Sequence, residues 1–491
     1  MKSAADILMP ITILAQTGKA AEMLAGITAD SREVKQDFAF VAVKGTQSDG
    51  HAFIEMAIAS GASMIVCEQM PESNLAEQFP NICFIQVADS AKALGLMACR
   101  WFGDPSQSMK LVAITGTNGK TTTATLLFNL FRELGYKTGL LSTVENRIDE
   151  EIFPASHTTP DPIRLNEMLA KMKSAGCTHV FMEASSHAIH QQRIAGLEFA
   201  GAVFTNITHD HLDYHGTFDN YISAKKKLFD DLEPSAFSLV NADDRRGRVM
   251  VQNTRSKVHA FSLQASASFR ARVLSDTIQG LHLEINGKEV WFRLVGQFNA
   301  SNLLAVFGVA ILLGEKEEEI LLALSGLQAV RGRFERIALN NGGTAIVDYA
   351  HTPDALLNVL QTIRSMQVNG EQLITVIGCG GNRDKAKRPV MAEIASRLST
   401  QIFLTSDNPR NEEPMAILQD MLAGVPISAR RKVALIEDRA SAIREAAAAT
   451  GKFDVMLVAG KGHETYQEIK GERFPFDDRE KILESQKPVL N

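Results

Sequence analysis

Short, continuously apolar runs alternate with longer stretches of helical periodicity along most of the chain. The runs that we expect to form strands are 39–43, 64–67, 111–115, 180–183, 202–206, 345–348, 373–377, 402–405 and 455–459. Because the strands of a parallel sheet are covered on both faces, they read as continuous apolar runs rather than as alternating ones. Strands of this kind separated by helices predict α/β domains built on parallel sheets.

Two segments depart from this pattern. Residues 268–292 alternate apolar and polar positions around the turn Asn286-Gly287, which predicts an antiparallel hairpin. The longest apolar run, 303–313, is too short to cross a bilayer and predicts a buried helix. We therefore expect no membrane insertion.

Turn-forming stretches divide the chain into three parts. The polar segment 104–108 precedes one apolar strand, and residues 331–333 are followed by a new strand and the turn 340–343. A chain of 491 residues is long enough for about three domains. We predict domains at 1–108, 109–336 and 337–491.

Charge and cysteine content narrow the function. The formal net charge of -6 argues against general binding of nucleic acid, which favours a basic face. The five scattered cysteines, without C-x-x-C spacing, predict neither a disulfide framework nor a thiolate zinc site. The amino-terminal segment is a poor signal peptide because Asp6 and Pro10 interrupt it, so we expect a cytoplasmic protein.

A glycine-rich loop between strand 111–115 and an amphipathic helix predicts a phosphate site. The loop residues are Gly116, Thr117, Asn118, Gly119, Lys120, Thr121 and Thr122. Glycines let backbone N–H groups surround phosphate oxygens, and the helix amino terminus adds a favourable dipole. Lys120 would neutralise the β- and γ-phosphates, and the Thr121 hydroxyl would reach Mg²⁺. Because Ile114 stands where a complete Walker A motif has its first glycine, an ordinary turn is the alternative interpretation.

A second cluster follows two neighbouring strands. Glu183 ends one strand, and His209 and His211 follow the next, so both segments should reach the edge where α/β sheets bind ligands. A carboxylate and imidazoles beside a triphosphate predict a magnesium site. Zinc is the rival metal, and satisfied surface histidines are the alternative to any metal.

With these segments placed, the sequence resembles the Mur ligase family over essentially its whole length. The segments that carry the resemblance are TGTNGKTTT (115–123), HTTP (157–160), EASSH (183–187), NITHDHLDYHG (206–216), GQFNASN (296–302), GRFE (332–335), DYAHTPDAL (348–356), GCGGNRDKAKRP (378–389), DNPR (407–410) and GKGHE (460–464). Within the family, the match is nearest to the ligases that add the third amino acid of the muramoyl peptide.

The resemblance implies an amino-terminal UDP-sugar domain, a central P-loop ATPase-like domain and a carboxy-terminal Rossmann-like domain. It also implies a reaction in which ATP phosphorylates a substrate carboxylate and the amine of the next amino acid displaces the phosphate. In this sequence, Asn302 and Arg333 match ATP-binding positions, Asp348 matches a ribose-side position, and His351 matches a position near the γ-phosphate. A monomer acting on small molecules is the expected form.

Two magnesium ions are implied. Thr121 and Glu183 match the positions that serve one ion, and His211 matches a ligand of the second. Lys225 matches the lysine that the family carbamylates, a change that converts an ammonium into an anionic oxygen donor. The alternative is that Lys225 is one of three solvated lysines in a row.

The resemblance also assigns contacts to UDP-N-acetylmuramoyl-L-alanyl-D-glutamate. The matching residues are Ser31, Thr158, Thr159, Ser185, Gln191 and Arg193, together with the loop 45–50. A surface turn is the alternative for that loop.

The segment Asp407-Asn408-Pro409-Arg410 bears on which amino acid is added. meso-Diaminopimelate differs from L-lysine by an extra carboxylate. A planar guanidinium binds a carboxylate with paired hydrogen bonds, and it repels the ammonium of an approaching lysine. Arg410 and Arg383 are thus the predicted carboxylate contacts. Asn408, Gly460 and Glu464 match the family's contacts to the amino end of that centre.

Two rival functions remain. One is a sister ligase, such as a lysine-adding or folylpolyglutamate-type enzyme, and the other is a nucleotide-driven switch or transport ATPase without a covalent product. Four positions depart from the family's usual pattern: Asn382, Ala386, Arg331 and Ala184. None of these departures removes a proposed functional group.

Overall fold

The computed structural model describes residues 1–19, 21–45, 48–71, 77–155, 157–367 and 370–487. Within these ranges the strands form three main sheets that follow one another along the chain. Every strand predicted from a continuous apolar run is present. No helix in the described ranges is long and apolar enough to cross a membrane.

The first sheet lies between residues 15 and 86. Its strands, in spatial order, are Ala15–Thr17, Cys83–Gln86, Ala62–Cys67, Phe38–Val41 and Gly26–Thr28. All neighbours pair parallel except the edge strand Ala15–Thr17, which runs antiparallel. The associated helices are Ala4–Leu8, Ile54–Ala59 and Ser90–Trp101, with short 3₁₀ turns at Gly50–Phe53 and Pro105–Ser108.

The middle sheet is the largest and holds the phosphate loop near its centre. Its spatial order is Glu151–Pro154, Glu145–Ile148, Thr138–Leu141, His179–Glu183, Lys110–Thr115, Gly201–Phe204, Phe237–Asn241, Lys257–Ser262, Phe269–Thr277, Gly280–Ile285 and Lys288–Phe292. The strands from Thr138–Leu141 to Phe269–Thr277 pair parallel. The predicted hairpin is one part of a three-stranded antiparallel meander, whose second turn is Asn286-Gly287.

Helices cover both faces of the middle sheet. They are Lys120–Glu133, Pro162–Ser174, Ser186–His190, Leu212–His215, Phe218–Asp230, Gly247–Met250, Gln297–Leu313 and Glu317–Gly326. The helix Lys120–Glu133 buries Leu126, Leu127, Leu130 and Phe131 against the sheet, as its apolar stripe predicts. The apolar run 303–313 lies in Gln297–Leu313, a mostly buried helix, as predicted.

The third sheet begins at residue 335. Its order is Glu335–Ala338, Thr344–Asp348, Val455–Ala459, Leu373–Ile377, Gln401–Leu404 and Val433–Leu435, all parallel except the first strand. Its helices are Pro353–Met366, Lys387–Leu398, Pro414–Ala423, Arg439–Ala449 and Asp478–Ser485, with a 3₁₀ turn at Ile427–Lys432 and a hairpin formed by Tyr466–Ile469 and Glu472–Pro475.

The structure accounts for two of the departures noted in the sequence. Ala386 has φ −64° and ψ −28°, a helical conformation that needs no glycine. Arg331 forms an ion pair with the carboxylate of Asp477, which caps the last helix. All five cysteines are buried and free, in agreement with the absence of a disulfide framework.

Candidate active site

Side chains of neighbouring segments contact the phosphate loop. Gly119 has φ +86°, and a Cβ atom there would lie 2.6 Å from Oδ1 of Asn302. The Asn118 N–H donates to Oδ1 of Asn206 at 2.9 Å, and the Thr205 hydroxyl donates to the Asn118 carbonyl at 2.6 Å. A side chain at position 119 would therefore collide with Asn302, which explains the glycine.

Two lysine amines share one backbone carbonyl in this loop. Lys120 Nζ donates to the carbonyl oxygens of Gly116 and Thr117, both at 2.9 Å. Lys225 Nζ, from the helix Phe218–Asp230, donates to the same Gly116 oxygen at 2.8 Å. Lys225 is only 1% exposed, so it is not a solvated surface lysine like its neighbour Lys227.

Burial is the main cause that lowers the pKa of both amines. Burial lowers the pKa of Lys225 well below its ordinary value, and the positive charge of Lys120 lowers it further. Burial also lowers the pKa of Lys120, while the charges of Glu183 and Asp210 act in the opposite direction. The site therefore has a place for added negative charge beside both amines.

Glu183 lies at the carboxyl end of its strand, as predicted, and is 1% exposed. Its carboxylate accepts hydrogen bonds from Thr143, at 2.7 Å from the backbone N–H and at 3.2 Å from the hydroxyl. These bonds leave carboxylate lone pairs that can bind a cation in the cavity.

Two histidine rings, those of His187 and His211, lie edge to face, and His211 lines the same cavity as the loop. The His211 ring lies 4.8 Å from the His187 ring, centroid to centroid, and its Nε2 lies 3.5 Å from Oδ2 of Asp210. Burial lowers the pKa of His211 and lowers that of His187 to about 4. Both imidazoles are therefore neutral at pH 7, which is the form that binds metals.

One cavity of about 760 Å³ joins these groups. Predicted residues that line it are Thr117, Asn118, Gly119, Lys120, Thr121, Thr122, Thr158, Glu183, Ser185, His211, Lys225, Asn302, Arg333, Asp348 and His351. The phosphate loop, the predicted metal ligands and the predicted ATP contacts thus face one space. In the described part of the chain, no group of three or more His, Cys, Asp and Glu side chains is arranged to bind a metal.

The cavity lies where the middle and third sheets meet. Arg333 Nη2 donates to the Thr121 hydroxyl at 3.1 Å, and its guanidinium lies over the Tyr349 ring at 4.6 Å. Asp354 accepts hydrogen bonds from Asn118 Nδ2 at 3.2 Å and from the Thr208 hydroxyl at 3.1 Å. These contacts connect the third sheet directly to the phosphate loop.

Asp348 and His351 occupy the same border. The Asp348 carboxylate accepts the backbone N–H groups of Phe334 at 2.7 Å and Ala350 at 2.8 Å. Burial raises its pKa to about 6. His351 has its pKa lowered, first by burial and then by the charge of Lys387, so its imidazole is neutral and can accept a proton or a hydrogen bond.

The predicted contacts to the UDP-linked substrate divide into two groups. Thr158 and Ser185 line the cavity. Thr159 is buried and donates to the Glu183 carbonyl at 2.8 Å, while Arg193 Nη1 donates to the Thr159 carbonyl at 2.8 Å and Arg193 Nη2 to Gln191 Oε1 at 2.7 Å. This second group supports the strand end that presents Glu183.

Ser31 lies away from the cavity, in the first sheet's region. It is 7% exposed and follows the strand Gly26–Thr28. In the predicted loop 45–50, positions 46 and 47 lie outside the described residues.

The residues predicted to bind the added amino acid form a separate cluster in the third sheet's region. Asn408 Nδ2 donates to Glu464 Oε2 at 2.8 Å. A Cβ atom on Gly460 would lie 2.6 Å from Asp407 Oδ2. Pro409 joins Asn408 to Arg410, whose Nη1 donates to the Gly381 carbonyl at 2.9 Å. Arg383 is exposed beside them.

Three contributors to these sites were not predicted: Thr143, Asp210 and Lys461. Thr143 follows the strand Thr138–Leu141, which contains a glycine and was not recognised as a strand. Asp210 lines the cavity and is part of a motif that pointed only to its histidines. Lys461 is fully buried and donates to Asn408 Oδ1 and Glu464 Oε2, both at 3.0 Å, a placement that its motif does not reveal.

Family models match three consecutive parts of the chain. Residues 24–102 match the catalytic domain of the Mur ligase family, residues 114–310 match the Mur ligase middle domain, and residues 332–462 match the Mur ligase glutamate ligase domain. The phosphate loop lies in the second match, and the cluster around Asn408 lies in the third except for Glu464, two residues beyond its end.

Curated relatives are similar over nearly the whole chain. A protein of Cytophaga hutchinsonii is 55% identical over 474 residues, which cover 96% of this chain and 97% of the relative. One of Bacteroides fragilis is 53% identical over 479 residues, 98% of each chain. Both are named UDP-N-acetylmuramoyl-L-alanyl-D-glutamate--2,6-diaminopimelate ligase.

Solved structures are similar in fold. A structure of a protein with that same name aligns with a TM-score of 0.69 and 32% identity over 99% of both chains. The MurF ligase of Thermotoga maritima, solved in complex with ADP, aligns with a TM-score of 0.60 and 21% identity over 94% of this chain and 96% of that one.

Proposed function

This chain belongs to the Mur ligase family, and from that premise we propose that it joins meso-2,6-diaminopimelate to UDP-N-acetylmuramoyl-L-alanyl-D-glutamate with ATP as the energy source. The enzyme is an ATP-dependent amide-bond-forming ligase of peptidoglycan synthesis. ADP and phosphate are the other products.

One observation carries the proposal. Lys120, Glu183, His211 and Lys225 line a single cavity of about 760 Å³. A ligase of this class must bring the terminal phosphate of ATP and a substrate carboxylate into one space, because phosphoryl transfer depends mainly on positioning and charge neutralisation. Four charged or metal-binding side chains around separate cavities would not support such a reaction.

Residues of the phosphate loop bind ATP in this proposal. Lys120 leaves the carbonyls of Gly116 and Thr117 and bonds to phosphate oxygens, while the loop N–H groups surround the β-phosphate. Arg333 is already placed beside Thr121 and adds a second positive charge. Asn302 packs against Gly119 and holds the loop in register.

The residues present fit magnesium. Thr121 supplies a hydroxyl and Glu183 a carboxylate in the same cavity, and such oxygen donors, together with phosphate oxygens, are what Mg²⁺ prefers. Bound magnesium would screen the repulsion between carboxylate and phosphate. His211 is neutral and so can serve a second ion.

Lys225 fits the proposed carbamate. An amine must be neutral to attack CO₂, and burial beside Lys120 gives Lys225 a low pKa. The new N–C bond forms as the amine gives up a proton, and the product is an anionic oxygen donor. That negative charge would also relieve the repulsion between the two amines at the Gly116 carbonyl.

The two chemical steps follow. The γ-carboxylate of the D-glutamate residue attacks the γ-phosphorus in line, the bond from that phosphorus to the bridging oxygen breaks, and ADP leaves. The amine of diaminopimelate then attacks the acyl phosphate, forming the amide and releasing phosphate. His351 lies at the cavity wall nearest the third sheet, where its neutral imidazole can accept a hydrogen bond. Thr158, Ser185, Gln191, Arg193, Thr159 and Ser31 are the proposed contacts of the UDP-linked substrate.

The third sheet's cluster selects the amino acid. Arg410 and Arg383 would bind the distal carboxylate, and Asn408, Asp407, Gly460 and Glu464 the amino group beside it. The cluster reaches the cavity through Tyr349, which lines the cavity and whose ring lies 4.9 Å from that of His463, the neighbour of Glu464. The reacting amine can therefore extend toward the acyl phosphate.

Mass spectrometry of the product tests the proposal. The purified enzyme is given ATP, the UDP-muramoyl dipeptide, and either diaminopimelate, lysine or glutamate. We expect a product with diaminopimelate and one ADP per product. Equal incorporation of lysine would show a lysine-adding enzyme, and ATP hydrolysis without an amide product would show an ATPase of another class.

Three further features belong to the proposal. The domains are 1–108, 109–336 and 337–491; the first limit separates the first sheet from the middle sheet, whereas the second falls within the strand Glu335–Ala338 at the edge of the third sheet. The enzyme works as a monomer in the cytoplasm.

A further inference from the structure

Two loops of the third sheet's region carry the two arginines of the amino-acid site. We call residues 380–388 the Arg383 loop and residues 407–412 the Arg410 loop. A Cβ atom built on Gly380 would lie 2.8 Å from Arg410 Nη1 and 3.7 Å from Arg383 Cγ. Both arginines therefore stand beside Gly380, and their separation depends on how the two loops are joined.

The Glu412 side chain joins the loops. Its Oε1 accepts the backbone N–H of Asn382 at 2.6 Å and Arg388 Nη2 at 2.9 Å. Its Oε2 accepts Arg388 Nη1 at 2.9 Å. Arg388 is fully buried, and the same Nη2 lies 3.3 Å from the Gly380 carbonyl, to which it donates. Glu412 thus binds the Arg383 loop at two residues, Asn382 and Arg388, and Arg388 extends the contact to the Gly380 carbonyl.

Two further hydrogen bonds from backbone N–H groups also join the loops. The Gly381 N–H donates to the Asn408 carbonyl at 2.9 Å, and the Asn411 N–H donates to Asn382 Oδ1 at 3.0 Å. Asn382 and Arg410 both have left-handed backbones, with φ of +53° and +51°. Such conformations persist only where surrounding bonds enforce them, and asparagine adopts them more readily than most residues.

The carboxylate of Glu412 forms ion pairs with other side chains of the protein. Arg388 binds it with two parallel hydrogen bonds, and Nζ of the exposed Lys385 lies 3.4 Å from Oε2. Arg410 pairs instead with Glu468, at a longer 3.5 Å, and Arg383 is exposed. Neither of the two arginines assigned to the substrate is thus paired with Glu412, although Glu412 lies only two residues from Arg410.

We propose that Glu412 is a positioning residue for amino-acid selection, which sets the spacing of Arg383 and Arg410 by clamping Arg388 and the backbone of Asn382. The inference rests on the proposed function, because it assumes that these arginines bind the distal carboxylate of diaminopimelate. Selection then depends on the pair Glu412–Arg388 as well as on the arginine side chains. A carboxylate read by two guanidinium groups requires their separation to be right within a fraction of an ångström.

The test is Glu412→Gln with Asp420→Asn as the matched control. Asp420 accepts the same Arg388 Nη1 at 2.9 Å, but from the helix Pro414–Ala423, and its side chain is 47% exposed. Both substitutions remove one negative partner of Arg388, and only Glu412→Gln disturbs the junction of the loops. KM is measured for each of the three substrates, with the diaminopimelate-to-lysine preference and the urea unfolding midpoint.

We expect Glu412→Gln to raise KM for diaminopimelate on the order of 10-fold, as for a lost charge-assisted bond, and to lower the preference over lysine. KM for ATP and for the UDP-linked substrate should stay at the wild-type values, and Asp420→Asn should resemble the wild type throughout. Glu412→Asp, which keeps the charge on a shorter side chain, should recover part of the loss.

Two results would overturn the inference. One is an unchanged KM for diaminopimelate in folded Glu412→Gln. The other is a parallel rise of all three KM values accompanied by the same loss of stability in Asp420→Asn, which would mark a purely structural role. If the wild-type enzyme makes no diaminopimelate product, the proposed function fails as well, whereas a normal wild-type product with either result above overturns only this inference.

Discussion

The cavity around the phosphate loop and the proposed amino-acid site around Asn408 differ in how their charged side chains are paired. In the cavity, the half-buried Lys120 and the buried Lys225 donate to carbonyls of the phosphate loop, and neither amine has an ion-pair partner among the described side chains. In the amino-acid site, Lys461 pairs with Glu464, and Arg388 pairs with Glu412. In the proposed function, the charges of the substrates complete the first site, whereas the second is organised before its substrate arrives.

In the proposed function, the cavity carries out the chemical steps and the amino-acid site selects the amino acid that is added. An unpaired buried amine is costly, but it interacts strongly with a phosphate that enters a water-poor cavity. A network whose members already satisfy one another costs little reorganisation and holds its recognition groups in fixed positions. We therefore expect substitutions in the cavity to reduce kcat, and substitutions in the amino-acid site to raise one KM.

Removal of the Lys120 amine should have the largest effect. We expect Lys120→Ala to reduce kcat/KM on the order of 1000-fold, because the variant loses the charge that stabilises the transferred phosphoryl group. Steady-state ADP release with all substrates measures the loss. Lys110→Ala, at the exposed start of the preceding strand, serves as control, and an equal loss there would show a folding defect rather than a phosphate contact.

Lys225 tests whether the cavity needs an added negative charge. We expect Lys225→Ala to reduce kcat about 100-fold, and wild-type activity to fall in buffer stripped of CO₂ and to return on addition of bicarbonate. Lys227→Ala, which removes only a surface pair with Asp231, should be silent. Full activity of Lys225→Ala would mean that this amine is only a buried structural group.

Arg410 tests the selection side of the comparison. We expect Arg410→Ala to weaken diaminopimelate binding by about 2 kcal/mol, the loss of a charge-assisted hydrogen-bonded pair, with ATP affinity unchanged. Isothermal titration with each ligand separates the two effects. Arg444→Ala, exposed on a helix of the same sheet, is the control. A matching loss of ATP affinity would contradict the separation of the sites.

Acid unfolding should show the smallest effect. The hydrogen bonds from Arg388 and then from the Asn382 N–H lower the pKa of Glu412 to about 2, from the ordinary value of 4.5. A depressed carboxyl pKa stabilises the fold above pH 4.5, and this stabilisation is lost as the pH falls through 2. Urea unfolding of the wild type and Glu412→Gln should therefore converge between these two values. A constant difference would show that the charge of Glu412 is not involved.

Much of the fold could be predicted because each parallel strand is continuously apolar. The runs 180–183 and 373–377 correspond to His179–Glu183 and Leu373–Ile377. The strand Thr138–Leu141 was missed because its Gly139 packs against the sulfur of Met172, a tertiary contact that local propensity does not report. The prediction at 268–292 found the turn Asn286-Gly287 but not the turn between Phe269–Thr277 and Gly280–Ile285, so it gave two strands where the structure has three.

The site was predictable where function depends on a contiguous motif. Lys120 lies where a glycine loop meets a helix, and Glu183 lies at a strand end, so sequence alone placed both at one edge of the sheet. The shared bond of Lys120 and Lys225 to Gly116, and the clamp of Glu412 on Arg388, depend on side chains more than 20 residues apart and required the structure.

The central claim is that one cavity presents the terminal phosphate of ATP to a substrate carboxylate. Transfer of a labelled oxygen from that carboxylate to phosphate tests the claim most directly. The UDP-muramoyl dipeptide is labelled with ¹⁸O in the γ-carboxylate of its D-glutamate, and the reaction is run with ATP and diaminopimelate. The proposed mechanism predicts that one labelled oxygen appears in the released phosphate. Release of unlabelled phosphate together with amide product would contradict it.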